Sequence, residues 1–237
     1  MNLKYEREYT ITTNLFDKND YLKPSSILDF CQHIAGEHAD MLDCGFDPFI
    51  KKGYIWVVVR NFIEIVKQIK NLKKVRLVTY ALNPQFVEMP RDVEIYSGDT
   101  LLYKVRMVWM IIDIKNNTIV NPKEAPNFFI EGKGLFERRI KKLPTIDFNL
   151  LEFYRNQDIT YSMLDHNGHM NNTRYLEIFL DKFKDNNGKY FLTYQVEYLK
   201  QCFENECLTT YSYEVENEKY LIGYKDNEIR FIIKGTY

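Results

Sequence analysis

At 237 residues the chain has room for one large domain or two smaller ones, of about 100 to 120 residues each. Hydrophobic residues make up 45% and charged residues 27%, a balance that supports a sizeable core and excludes a disordered chain. The formal net charge of −1 argues against nucleic-acid binding, which requires a basic footprint.

No apolar run approaches the roughly 18 residues of a membrane span. The start, MNLKYEREYTITT, carries charge where a signal peptide needs an unbroken apolar segment. Cys31, Cys44, Cys202 and Cys207 form no CxxC pair and read as reduced thiols of a cytoplasmic protein. Eighteen Tyr and sixteen Phe favour strands and large apolar cavities.

In chain order, residues 3–13 alternate as a strand does. Pro24-Ser25-Ser26 opens a helix, with Ser26 and Asp29 in capping-box spacing. Its apolar positions Ile27, Cys31, Ile34 and Leu42, flanked by Leu28, Ala35 and Ala39, recur at helical period. Gly45 is read as its stop, followed by a loop. Extended runs follow at Tyr54–Val66, Val75–Leu82, Phe86–Tyr96 and Leu101–Ile114, parted by Asn83-Pro84 and Ser97-Gly98-Asp99. The pattern predicts an α+β unit, one long helix against a curved antiparallel sheet.

From Lys115 to Leu150 the pattern breaks at Pro122, Pro126, Gly132, Gly134 and Pro144. Arg138, Arg139, Lys141 and Lys142 cluster there, suited either to solvent or to an acidic partner. The order then restarts. Ile159–Leu164 reads as a strand, and Asn171-Asn172 can cap a helix with Tyr175, Leu176, Phe179, Leu180 and Phe183 on one face. Strands are expected at Phe191–Leu199, Leu208–Val215, Tyr220–Tyr224 and Ile229–Ile233.

The restart points to an internal duplication. An offset of 148 (165 − 17) brings Asp17 onto Asp165, and also pairs Ile11/Ile159, Thr12/Thr160, Asn19/Asn167 and Leu28/Leu176. The copies differ where chemistry matters. His169 of the second faces Tyr21 of the first, and Asn171-Asn172 faces Lys23-Pro24. Chemistry is therefore expected in the second half, leaving the first free to become a binding shell.

Residues 164–175, LDHNGHMNNTRY, form a turn rich in polar and titratable groups immediately before a helix. Unpaired N–H groups at a helix start carry partial positive charge and suit a developing oxyanion. His169 can act as a base near neutral pH, and Asp165 or Asn167 can orient it or a water. The same residues also suit a plain capped turn. Cys202 becomes a candidate only if the fold brings it near His169, because an adjacent imidazole can activate a thiol. Cys31, His33 and His38 do not share one helix face and are not expected to bind a metal.

Asp165-x-Asn167-x-His169-Met-Asn-Asn, followed by Tyr175, resembles the active-site motif of the acyl-ACP thioesterases, the plant plastid FatA and FatB type and their bacterial relatives. About thirty residues on, Val196-Glu-Tyr-Leu-Lys-Gln-Cys-Phe203 is similar to the family's second motif, in which a Glu-Cys pair ends a strand. The resemblance covers nearly the whole chain. It implies a double hotdog fold, with an acyl-chain-binding unit over 1–130, a linker over 131–150 and a catalytic unit over 151–237. It also implies hydrolysis of fatty acyl-ACP to free fatty acid and holo-ACP in fatty acid biosynthesis, without metal or organic cofactor.

By the same resemblance the catalytic set is Asp165, Asn167, His169 and Cys202. Gln201 stands where the family commonly has Glu. Two mechanisms stay open: Cys202 as a nucleophile activated by His169, or direct attack by a water that His169 deprotonates. Gln201 cannot be a base, though its amide can hold a water or a carbonyl. The expected partner is acylated acyl carrier protein, an acidic protein, with docking on the 138–142 cluster or on Lys67, Lys70, Lys73, Lys74 and Arg76. Nucleic acid and membrane insertion are not expected, and further pairing as a homodimer is left open. Acyl-CoA hydrolysis, dehydration of 3-hydroxyacyl thioesters on the same fold, and non-catalytic acyl binding are the competing readings. The acyl chain is expected against Ile34, Ala35, His38 and Leu42 and the strand Tyr54–Arg60.

Overall fold

The computed structural model describes residues 3–122, 134–183 and 190–237. The expected boundary at 130/131, together with Pro126 and Gly132, lies outside the described residues. The chain divides into two compact units, Met1–Ile140 and Lys141–Tyr237.

The first unit runs β1 (Tyr5–Thr10), α1 (Pro24–Met41), α2 (Phe46–Lys51), β2 (Tyr54–Ile65), β3 (Lys74–Ala81), β4 (Met89–Ser97), β5 (Thr100–Asp113) and a short β6 (Thr118–Ile119). The strands pair antiparallel in the order β1-β3-β4-β5-β2, with β6 on β5. α1 buries Ile27, Leu28, Cys31, Ile34, Ala35 and His38, the stripe that the apolar spacing predicts. Full burial of each large aliphatic side chain contributes about 1.5–3 kcal/mol.

The ends of α1 differ from expectation. Pro24 occupies the first helical position, but Lys23 is the N-cap and makes no side-chain cap bond. The Ser26 hydroxyl donates instead to Leu15 O at 3.2 Å, so the capping box is not used. The stop is Asp43, not Gly45. Asp43 has φ 56, and Cys44 N donates to Ala39 O while Asp43 N donates to Asp40 O, which closes the helix as a Schellman motif. Gly45 instead caps α2, a helix the sequence reading took for a loop. A Cβ on Gly45 would lie 1.7 Å from Asp40 Oδ1, so any larger residue there requires the Asp40 side chain to move.

The run expected from Phe86 also starts late. Gln85 and Glu88 exchange both backbone hydrogen bonds, which places Phe86, at φ 60, in a two-residue hairpin turn. Several charges lie in this unit's interior. Arg106 grips Asp92 in a two-bond fork at 2.7 and 2.8 Å. Arg60 and Arg139 both meet Glu88. Arg91 donates to His38 Nδ1 at 2.9 Å. Burial lowers Arg91 to about 10, and the ring nitrogen facing it must be an acceptor because guanidinium only donates.

The second unit runs β7 (Glu152–Asp158), α3 (Arg174–Phe183), β8 (Thr193–Tyr198), β9 (Cys207–Val215), β10 (Glu218–Lys225) and β11 (Glu228–Thr236). Its order is β7-β9-β10-β11-β8. This is the first unit's order with each strand replaced by its counterpart. Shared topology turns the weak sequence match at an offset of 148 into a structural duplication. Ahead of β7, Leu143, Ile146 and Leu151 pack on Tyr220, Ile222 and Ile232. Leu143 N reaches Glu197 Oε1 at 3.2 Å, and Gln195 Nε2 reaches Lys141 O at 2.7 Å.

The strand expected over Ile159–Leu164 is not one. β7 precedes it, and Tyr161–Met163 forms a 3-10 turn, as Thr13–Leu15 does in the first unit. Backbone bonds close each turn: Met163 N donates to Thr160 O at 2.9 Å and Leu164 N to Tyr161 O at 3.2 Å, as Leu15 N and Phe16 N do to Thr12 O and Thr13 O. α3 buries Tyr175, Leu176, Ile178, Phe179 and Phe183.

Candidate active site

The two aspartates build the same loop twice. Asp17 Oδ1 accepts from Asn19 N at 2.8 Å and from Tyr21 N at 3.0 Å. Asp165 Oδ1 accepts from Asn167 N at 2.8 Å and from His169 N at 3.2 Å. Around them Asp17 N donates to Tyr21 O and Asp165 N to His169 O, each at 2.8 Å. Asp20 and Gly168 occupy the matching left-handed position, at φ 68 and φ 76. Bridges Phe16↔Leu22 and Leu164↔Met170 close the loops. Asp165 is thus the clamp of the turn, its carboxylate engaged by two backbone N–H groups.

The same clamp lifts His169 to one edge. His169 is half-buried, and Asn167 is exposed. The Asn171 side chain accepts from Thr173 N at 3.0 Å and Asn171 O from Arg174 N at 3.0 Å. It acts as the helix cap that the sequence predicts, and it uses two N–H groups at the start of α3. Among the described residues the side-chain carboxamides of Asn167 and Gln201 make no hydrogen bond, which leaves them available to an oxygen.

The segment after β8 comes back to this turn. Met170 N donates to Cys202 O at 2.8 Å, and His169 bridges Phe203. The two sequence motifs are therefore in direct backbone contact. Their side chains diverge, however. Phe203 meets the His169 ring edge-on, with centroids 5.1 Å apart. Cys202 is fully buried; its thiol donates to Lys200 O at 4.0 Å and lies beside the Tyr175 hydroxyl. Tyr175 is walled in by Tyr198 and Phe231. Burial pushes the Cys202 thiol up, against the opposing pull of the Tyr175 hydroxyl. Burial likewise raises Tyr175 well above its ordinary value. A thiol in that setting is a weak nucleophile.

The sequence reading missed Phe203, Glu206 and Arg230. Glu206 Oε2 accepts from Phe203 N at 2.9 Å. Arg230 lies 3.8 Å from Glu206 and donates to Gln201 O at 3.2 Å. The repeat in the sequence does not reveal them, because an offset of 148 places Glu206 on position 58 (206 − 148) rather than on the segment behind the first turn.

The remaining candidates stay apart. Cys31 is buried and its thiol raised by desolvation. Cys44 is raised to about 11 for the same reason. The His33 side chain is 61% exposed and faces Glu37. Among the described residues no group of three His, Cys, Asp or Glu could hold a metal. Among them, too, no helix is long and apolar enough to cross a membrane.

A long helix wrapped by an antiparallel sheet, made twice, with one imidazole turn, defines a double-hotdog enzyme. The acyl-ACP thioesterase N-terminal domain matches residues 2–124 and the acyl-ACP thioesterase C-terminal domain matches residues 152–230. The chain belongs to the acyl-ACP thioesterase family and is a thioester hydrolase acting on fatty acyl-ACP. It superposes on an acyl-ACP thioesterase from Bacteroides thetaiotaomicron VPI-5482 with a TM-score of 0.90 and 20% identity, over 99% of this chain and 98% of that one. For the 12:0-ACP thioesterase from Umbellularia californica the values are 0.87 and 14%, over 100% and 97%. At these identities the likeness establishes the fold. No curated protein matches the sequence.

Proposed function

We propose that hydrolysis proceeds by direct attack of a water on the thioester, with His169 as general base. The contrast between a half-exposed imidazole and a thiol sealed against Tyr175 carries this reading. His169 takes a proton from water as the oxygen bonds to the acyl carbon. The Asn167 and Gln201 amides donate to the carbonyl oxygen as it becomes negative. Collapse breaks the C–S bond, and the imidazolium returns its proton to the departing thiolate. Asp165 acts through the backbone, by holding the turn. Gln201 in place of an acid is compatible with this scheme, because no second carboxylate is needed to move the proton.

His169→Ala is expected to lose a factor of about 10² to 10⁴ in kcat on acyl-ACP. If it kept more than a tenth of the wild-type rate, the imidazole would not be the base.

The division of labour follows the difference between the copies. The first unit, with Tyr21 at the equivalent turn, serves acyl-chain binding, and the second carries the chemistry. Ile34, Ala35 and His38 on α1 and Leu42 just after it are buried, which supports a dry lining there. The carrier is an acylated, acidic acyl carrier protein, and the reaction belongs to fatty acid biosynthesis in the cytoplasm, where four free thiols persist reduced. Pairing of two chains as a homodimer completes the proposal.

Docking falls on Arg138, Lys141 and Lys142, all exposed. Arg139 is held by Glu88. In the second basic run, Lys74 and Arg76 are engaged by Glu8 and Glu6, which makes it the weaker site.

A further inference from the structure

Overlaying the two units on their backbone contacts exposes an exchange of charge that the sequence motifs do not contain. Ile11 N donates to Lys73 O at 2.9 Å in the first unit, and Ile159 N donates to Glu206 O at 2.8 Å in the second. Lys73 and Glu206 are therefore equivalent positions, at an offset of 133 (206 − 73). The contacts at the turn differ as well: Lys70 Nζ sits 5.2 Å from the Tyr21 ring centroid, whereas the Phe203 ring sits against His169 in the other copy. The unit whose turn carries an imidazole thus has a carboxylate where its sister has a lysine.

We infer that Glu206 is a positioning residue for the hydrolysis, acting through Phe203 on the His169 imidazole. Its carboxylate does two things at once. One oxygen accepts from Phe203 N at 2.9 Å, which closes the 203–206 turn. The other faces Arg230 at 3.8 Å, and Arg230 in turn holds Gln201 O at 3.2 Å. Gln201 and Phe203 flank Cys202, whose carbonyl anchors the catalytic turn through Met170 N.

A single ion pair thereby ties down both residues that border the site. Phe203 is 44% exposed, so core packing alone does not hold its ring against His169. The backbone clamp supplied by Glu206 does. A lysine at this position, as in the first unit, could not accept from the same N–H.

The inference rests on His169 as the base, and the test separates the two. Purified full-length wild type, Glu206→Ala, Glu206→Gln, Phe203→Ala and the Phe203→Ala/Glu206→Ala pair are assayed on one acyl-ACP, with unfolding midpoints measured alongside. Glu206→Ala is expected to lower kcat about tenfold with KM within about twofold of wild type. Glu206→Gln retains an acceptor for Phe203 N and is expected to recover kcat to within about threefold. The double variant is expected to be no slower than Phe203→Ala, because both act along one path.

Equal loss in Glu206→Ala and Glu206→Gln would overturn the positioning role, as would additive losses in the double variant or an unchanged kcat in Glu206→Ala. A wild type and His169→Ala of equal activity would instead overturn the base assignment.

Discussion

Replacing Cys202 by Ala separates the two routes to hydrolysis, because the structure gives the thiol a structural task whose loss can be sized. The side chain is fully buried, so deleting its sulfur removes about 1 kcal/mol of transfer free energy and adds a cavity term of similar size. Together these predict destabilisation of about 2 kcal/mol, measured by urea unfolding. Cys202→Ser leaves a smaller void beside Tyr175 and is expected to lose less.

Activity should behave differently. Under water attack, kcat on acyl-ACP per folded molecule stays within about threefold of wild type, whereas loss of a covalent nucleophile would cost about a thousandfold or more. A near-inactive Cys202→Ala that unfolds like wild type would refute the assignment of the thiol to packing.

The duplication supplies an internal control. Asp165→Ala and Asp17→Ala break the same clamp and should each cost about 1–2 kcal/mol of stability, yet only Asp165→Ala should lower kcat, as paired unfolding and hydrolysis measurements will show. Reversing Arg138 and Lys142 to Glu is expected to raise KM for acyl-ACP several-fold at low ionic strength while leaving acyl-CoA hydrolysis unaffected, with the difference shrinking in high salt.

Glu218 gives a pH signature. Its carboxyl is held below the usual carboxylate range by hydrogen bonds from Lys234 and Tyr220. The folded value lies under the unfolded one, so the contribution is present above the unfolded pKa and disappears as pH falls through the folded pKa. Glu218→Gln should therefore weaken the fold at neutral pH and bring its stability closer to wild type in acid, seen in unfolding midpoints across pH 3 to 7.

Much of the fold was legible because both periodicities were clean. The α1 stripe from Ile27 to Leu42 repeats every three to four residues, and the β-branched runs of β2 to β5 alternate, so each element buries one face wherever it docks. Element ends were not legible. Asp43 rather than Gly45 stops α1 because a Schellman closure depends on the carbonyls of Asp40 and Ala39, which no linear pattern displays. Residues 161–163 look β-like but curl into a 3-10 turn closed by backbone bonds to Thr160 O and Tyr161 O.

The imidazole turn and the cysteine segment were visible as motifs, and it was their resemblance to the acyl-ACP thioesterase motifs that suggested a hydrolase. Their juxtaposition was decided by tertiary pairing alone: Met170 N meets Cys202 O only because β7 to β11 return the chain to the loop before α3. The same pairing sends the Cys202 thiol inward to Tyr175 and the Phe203 ring outward to His169, and it brings Glu206 and Arg230 behind both. Side-chain identity is local information that sequence carries in full. Which neighbours point toward each other depends on backbone direction at the meeting point, and that is settled only when distant segments share hydrogen bonds.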